Sequence, residues 1–190
     1  NEDALPVIDV AAGLNRILKS APAQTEIHNT VSVDPIREAL ASIESALYSI
    51  DAVRDIIEQA CEVALSAQEV EDAGGRALLA ESYDELRLSI NKTIDALDER
   101  AACLIGKNQH NLDVKLGGKA QYSVSPTRLD VSARGLNLDP PRDAFAAFDE
   151  ITEVLAQLDS ALKKADRAAA GYCRDAQFLI ARLAQAAAAE

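Results

Sequence analysis

The chain has 190 residues, of which 31 are acidic and 19 basic, for a formal net charge of −12 at pH 7. That balance opposes the neutralisation of phosphates, so neither nucleic acid nor an anionic membrane surface is expected as a partner. Hydrophobic residues make up 48% of the chain, yet Trp and Met are absent and there are only four Tyr and three Phe, so Ala carries much of the apolar fraction and favours helices that approach closely.

Val7, Val10, Leu14 and Ile17 follow helical spacing, and Pro22 ends that segment. Residues 23–33 mix Thr, Asn, Ser and His28 with few apolar positions, which is the composition of a connector. Residues 1–33 therefore form a short helix and connector, set apart from a larger unit over 34–190. The chain opens on Asn1 rather than Met, which is expected of a fragment or processed product.

Asp34-Pro35 marks a helix start, with the carboxylate as cap and proline at a position that has no amide bond to make. Ile36, Ile43, Ile50, Ile57 and Ala64 then recur every seven residues, with Ala39, Ala46, Val53, Ala60 and Ala67 three positions on. A third row begins with Leu40 and Leu47 but continues as Arg54, Cys61 and Gln68, so the buried stripe should narrow toward the far end. Gly74-Gly75 is expected as the turn to a second long helix, whose face is Leu79, Tyr83, Leu86, Ile90, Ile94, Leu97, Ala101 and Leu104, closed by Gly106 and Asn108.

The period then changes to two. Leu112, Val114 and Leu116 alternate with polar residues, Gly117-Gly118 supplies a tight turn, and Ala120, Tyr122 and Val124 alternate again, which predicts a β-hairpin. Leu129, Val131, Leu136 and Leu138 predict one more extended piece, so the β region spans about 112–138 before Pro140-Pro141. From Asp143 to Leu183 two heptad rows run unbroken: Phe148, Leu155, Leu162, Ala169, Ala176 and Leu183, beside Ala144, Ile151, Leu158, Ala165, Tyr172 and Leu179. One helix on the order of 60 Å follows, at ~1.5 Å per residue. The fold class is mainly α: an elongated antiparallel bundle of three long helices with a small β-hairpin subdomain.

Little in the chain points to chemistry. His28 and His110 both fall in expected loops, and neither accompanies a recognisable nucleophile. The pairs Asp84-Glu85, Asp98-Glu99 and Asp149-Glu150 read as solvated helix faces, because adjacent helical residues diverge by about 100°. Cys61, Cys103 and Cys173 lack metal or disulfide spacing and read as reduced, packed thiols, with Cys61 the one placed where a partner-facing thiol would fit. No apolar run approaches the ~20 residues of a membrane span. No catalytic residue, metal or cofactor is expected. Gly171, inside the last helix, needs a reason, and close approach of a partner backbone is the preferred one over a tolerated defect.

The order of parts, together with local stretches, resembles the core of bacterial flagellin. Glu62-Val63-Ala64-Leu65 is similar to a Glu-Leu-Ala-Val stretch in that family's first core helix. Arg76 through Leu79, with Asp84, Leu86, Ile90 and Ile94, resembles its second helix, and Gly106-Lys107-Asn108 resembles the exit from it. In the last helix Leu158-Asp159-Ser160-Ala161-Leu162 matches best, followed by Ala170-Gly171 and Gln177. Three departures stand beside these matches. Ile105 stands where the family has Asn, the paired terminal helices are not recognisable in residues 1–35 or after Ala186, and no outer domain follows the hairpin.

The resemblance implies a structural subunit of the flagellar filament, exported without a cleaved signal peptide, extracellular, and acting in motility by packing against itself or other flagellar subunits. An export chaperone is a further implied partner. A hook-filament junction protein, or an adaptor or surface-binding module on the same core, is the alternative. Without the terminal helices this chain alone is not expected to polymerise normally. Gln59, Cys61, Glu62 and Gly171 are the candidate subunit or partner contacts. Gln59 and Cys61 stand where flagellins seen by the innate immune receptor carry arginines, which counts against recognition by it.

Overall fold

The computed structural model describes residues 33–189. The short N-terminal helix and connector expected over residues 1–33 lie outside these, apart from the last position. The elements in order are α1 (Asp34–Gln68), α2 (Ala73–Asp95), α3 (Glu99–Ile105), β1 (Leu112–Gly117), β2 (Ala120–Val124) and α4 (Phe148–Ala188).

Helix α1, 35 residues long, is the element on which the others pack: it lies against α2, α3, α4 and β1. Both expected heptad rows are buried along their whole length, with Ile43, Ile50, Ile57 and Ala64 at 0% exposure. Its third row behaves as its composition dictates, running from buried Leu40 and Leu47 to half-buried Arg54 and Cys61 and exposed Gln68. Proline does stand in the first turn, but Asp34 is not the cap. It is already helical, Val33 occupies the cap position without a side-chain bond, and the Arg37 amide donates to the Val33 carbonyl at 3.1 Å.

The turn to α2 is made by residues 69–72, not by the glycines. Asp72 caps α2, its carboxylate accepting from the Gly75 amide at 2.9 Å, so Gly74 and Gly75 form the first helical turn. A Cβ on Gly75 would meet Val70 Cγ1 at 2.9 Å, which is the packing reason for a glycine there. The expected long second helix is broken after Asp95. Asp98 restarts it as α3, accepting from the Ala101 amide at 2.8 Å and from the Ser45 hydroxyl on α1 at 3.0 Å, a local capping signal that outcompeted the continuous apolar spacing. Gly106 closes α3 as expected.

The hairpin pairs Leu112 with Val124 and Val114 with Tyr122 in antiparallel register, and both Gly117 (φ 112°) and Gly118 (φ 56°) take the positive φ the turn requires. It ends at Val124, and the further extended piece is not a strand. Residues 125–147 instead form an irregular strap along the groove between α2 and α4. The Val131 amide donates not to a strand but to Asn91 Oδ1 at 3.0 Å, Lys164 Nζ donates to the Arg134 carbonyl at 3.1 Å, and Tyr83 Oη donates to the Asp139 carbonyl at 3.1 Å. Its apolar residues Leu129, Val131, Leu136, Leu138 and Phe145 are buried in the core shared with the helices. The period of two was the signature of buried irregular chain, which needs alternate apolar anchors as a strand does but ties its amides to side chains and turns.

Helix α4 has 41 residues and at ~1.5 Å per residue spans on the order of 60 Å, antiparallel to α1. It begins at Phe148, not Asp143, because Ala144 and Phe145 take φ of 50° and 59°, which no helix accommodates. The row of Ile151, Leu158, Ala165, Tyr172 and Leu179 is buried, as expected. Of the row starting at Phe148, Ala176 is buried and Leu155, Leu162, Ala169 and Leu183 pack half-buried against the core, while Phe148 itself is 47% exposed; Val154, Ala161 and Ala168 are the more deeply buried positions beside it. After Ala168 the buried positions step by four and four, through Tyr172 to Ala176, a shift that keeps a nearly straight helix on its neighbour.

Candidate functional site

With α2 on one side of α1, α4 on another and the strap bridging those two, one stripe of α1 is left to solvent. Tyr48, Asp55, Gln59, Glu62 and Leu65 lie along it at helical spacing, with Tyr48 and Leu65 each 52% exposed. Two of the expected contact residues, Gln59 and Glu62, fall on this stripe. Its acidic edge is partly tied down by Arg54, which meets Asp166 of α4 at 2.7 Å and Glu58 at 3.7 Å.

Cys61 is turned off the stripe and half-buried. Burial, then the nearby carboxylates of Asp159, Glu58 and Glu62, raise its pKa, so it is a neutral thiol and not a nucleophilic thiolate at neutral pH. Burial likewise raises Cys103 and Cys173, and all three thiols are free.

Gly171 is brought to none of these residues, and no neighbouring backbone approaches it. A Cβ there would meet only Arg174 Nη2, at 3.8 Å. The close helix approach expected at this glycine is therefore not made within the chain. It sits instead at an open cleft of about 420 Å³ between α4 and the end of β2, lined also by Ser123, Thr127, Lys164 and Arg167. A second cleft of about 570 Å³ lies where α2, α3 and the exit loop meet, and Lys107 bridges to Asp95 beside it at 2.9 Å.

The remaining polar groups hold structure. Of the acidic pairs, Asp84 binds Arg87 at 2.8 Å and Asp98 caps α3. Glu150 departs from the solvated face expected of it: it is 2% exposed and accepts from the Asp143 amide at 2.7 Å, fixing the chain entering α4. His110 Nδ1 lies 2.9 Å from the carbonyl of its neighbour Asn111, and His28 lies outside the described residues. Among the described residues no three His, Cys, Asp or Glu side chains gather as metal ligands, and no helix is long and apolar enough to cross a membrane.

Two structural centres carried no sequence signal that heptad reading could use. Arg76, 6% exposed, donates to the carbonyls of Val70, Glu71, Phe145 and Ala146 at 2.7–2.9 Å and lies over the Phe148 ring at 4.6 Å. Tyr172, read as one more apolar seam residue, accepts from the Thr127 amide and donates to the Leu104 carbonyl, each at 3.0 Å. The spacing of Lys164, Arg167 and Arg174 around Gly171 was visible in the sequence and would have pointed to the cleft.

No family model matches the chain, and no curated protein matches it. Among solved structures it is similar to the crystal structure of Bacillus cereus flagellin, with a TM-score of 0.68 at 12% sequence identity, over 85% of this chain and 93% of that one. The fold is flagellin-like. The long α1, its return through α2 and α3, the small hairpin and the long closing helix are the order of parts that the sequence resemblance implied.

Proposed function

We propose that the chain is a structural subunit of a flagellar filament, working outside the cell through side-by-side packing and not through catalysis. The observation that carries the reading is the likeness to flagellin over nearly the whole of both chains. The exposed stripe of α1 supports it: Tyr48 and Leu65 offer apolar contact at two heights of a stiff rod, with Gln59 and Glu62 between them as polar register. Copies of itself or other flagellar subunits are the partners, and an export chaperone covers the same stripe before assembly.

Immunogold labelling of filaments sheared from the source cells, with antibody raised to this chain, tests the reading. Label along the filament length supports a filament subunit, and label confined to the hook end supports a junction protein of the same architecture. Label absent from filaments while the protein is abundant in the cells rules both out.

A further inference from the structure

We propose that the cleft beside Gly171 binds a small ligand through a phosphate, sulfate or carboxylate group. On α4, Lys164, Arg167, Gly171 and Arg174 fall on one stripe at intervals of three, four and three, so three cations line one wall of a cleft of about 420 Å³. The facing wall carries the hydroxyls of Ser125 and Thr127, which can donate to an anion or pair with the rest of a polar ligand, while that of Ser123 donates to Asp113 Oδ1 at 2.8 Å. In a chain of net charge −12 this gathering of positive charge runs against the composition.

The charges are available. Arg167 and Arg174 are both exposed and line the cleft. Lys164, which lines the cleft, donates to the Arg134 and Gly135 carbonyls, which restrains its ammonium and leaves one N–H for a ligand. Burial lowers the Lys164 pKa, and the charges of Arg167 and Arg128 add to that against the pull of Asp130; an arriving anion relieves this crowding. The one carboxylate in the lining, Asp175, accepts from the Tyr122 hydroxyl. Gly171 supplies the space: with no partner backbone near it, its missing side chain leaves the middle of the cationic stripe open. The volume exceeds that of a bare oxyanion, which leaves room for a small molecule that carries the anionic group.

This site does not depend on the filament reading. The test is a titration of the full-length chain, followed by the amide resonances of Ser125, Thr127 and Gly171, with inorganic phosphate and separately with glucose 6-phosphate, against chloride at equal ionic strength. Saturable shifts with either are expected, and tighter binding of the sugar phosphate assigns the carrier. In Arg167→Gln/Arg174→Gln the affinity falls about tenfold or more with the melting temperature unchanged. Gly171→Leu, which fills the cleft without touching the core, abolishes the shifts and serves if the double variant does not fold. Shifts no larger than those with chloride, or equal binding in both variants, overturn the proposal.

Discussion

The Arg76 guanidinium Nε donates to the Phe145 carbonyl at 2.9 Å, joining residues 69 positions apart. The same side chain holds the carbonyls of Val70 and Glu71, so one buried cation ties the turn before α2 to the turn before α4 and sets where both long helices begin. Arg76→Ala leaves these carbonyls without donors and is expected to cost about 3 kcal/mol, read as a fall in the midpoint of thermal or urea unfolding. Arg76→Lys should recover little of it, because an ammonium cannot reach four carbonyls on two sides.

Leu158 is fully buried at the centre of the α4 seam. Leu158→Ala should cost about 3 kcal/mol through the cavity it leaves, while Leu158→Asp, which adds an unpaired charge, should cost more than about 4 kcal/mol and collapse the helical circular dichroism. An unchanged melting temperature in the aspartate variant contradicts the placement of this residue.

The heptad rows of α1 were legible because every one of those positions meets a neighbouring helix, so the pattern and the burial coincide from Ile36 to Ala67. The same reading failed at Leu97 and Phe148 for a local reason: Asp98 and the positive-φ pair Ala144 and Phe145 interrupt the helix, and periodicity does not register a break that keeps apolar spacing. The strap was half legible. Its anchors Leu129, Val131, Leu136 and Leu138 were found, but its amides bond to Asn91 and to its own turns instead of to a strand. Of the contacts taken from the flagellin-like stretch, Gln59 and Glu62 are exposed and Cys61 is half-buried, whereas Gly171 was given a helix contact when the space beside it belongs to a cleft.

Alkaline pH should destabilise the fold. Burial pushes the Tyr172 hydroxyl up to about 12, with its Thr127 bonds pulling the other way; burial and then the Asp175 contact push Tyr122 up to about 12; and burial raises Tyr83 as well. Each group is more readily kept protonated in the folded chain, so their contribution is complete below an unfolded value near 10 and is lost as the pH rises toward about 12. Melting temperatures should therefore be level near neutral pH, begin to fall above about 9, where the three thiols that burial also raises start to contribute, and fall further through that window. Tyr172→Phe should lower stability at neutral pH by about 1–2 kcal/mol and make the alkaline fall shallower.

Gly171→Ala should stabilise the chain. The added Cβ meets nothing closer than Arg174 Nη2 at 3.8 Å, so only the helix propensity changes, by about 0.5–1 kcal/mol. A loss of stability would mean that a neighbour sits closer to Gly171 than this.

The open stripe of α1 as the face where subunits meet is tested most directly by the accessibility of Gln59→Cys. The native thiols are half-buried with raised pKa values and supply a slow background. Maleimide labelling of Gln59→Cys should be fast in the free chain and at least about tenfold slower in filaments isolated from cells expressing the variant. Equal labelling rates in the free and assembled states would contradict the assignment.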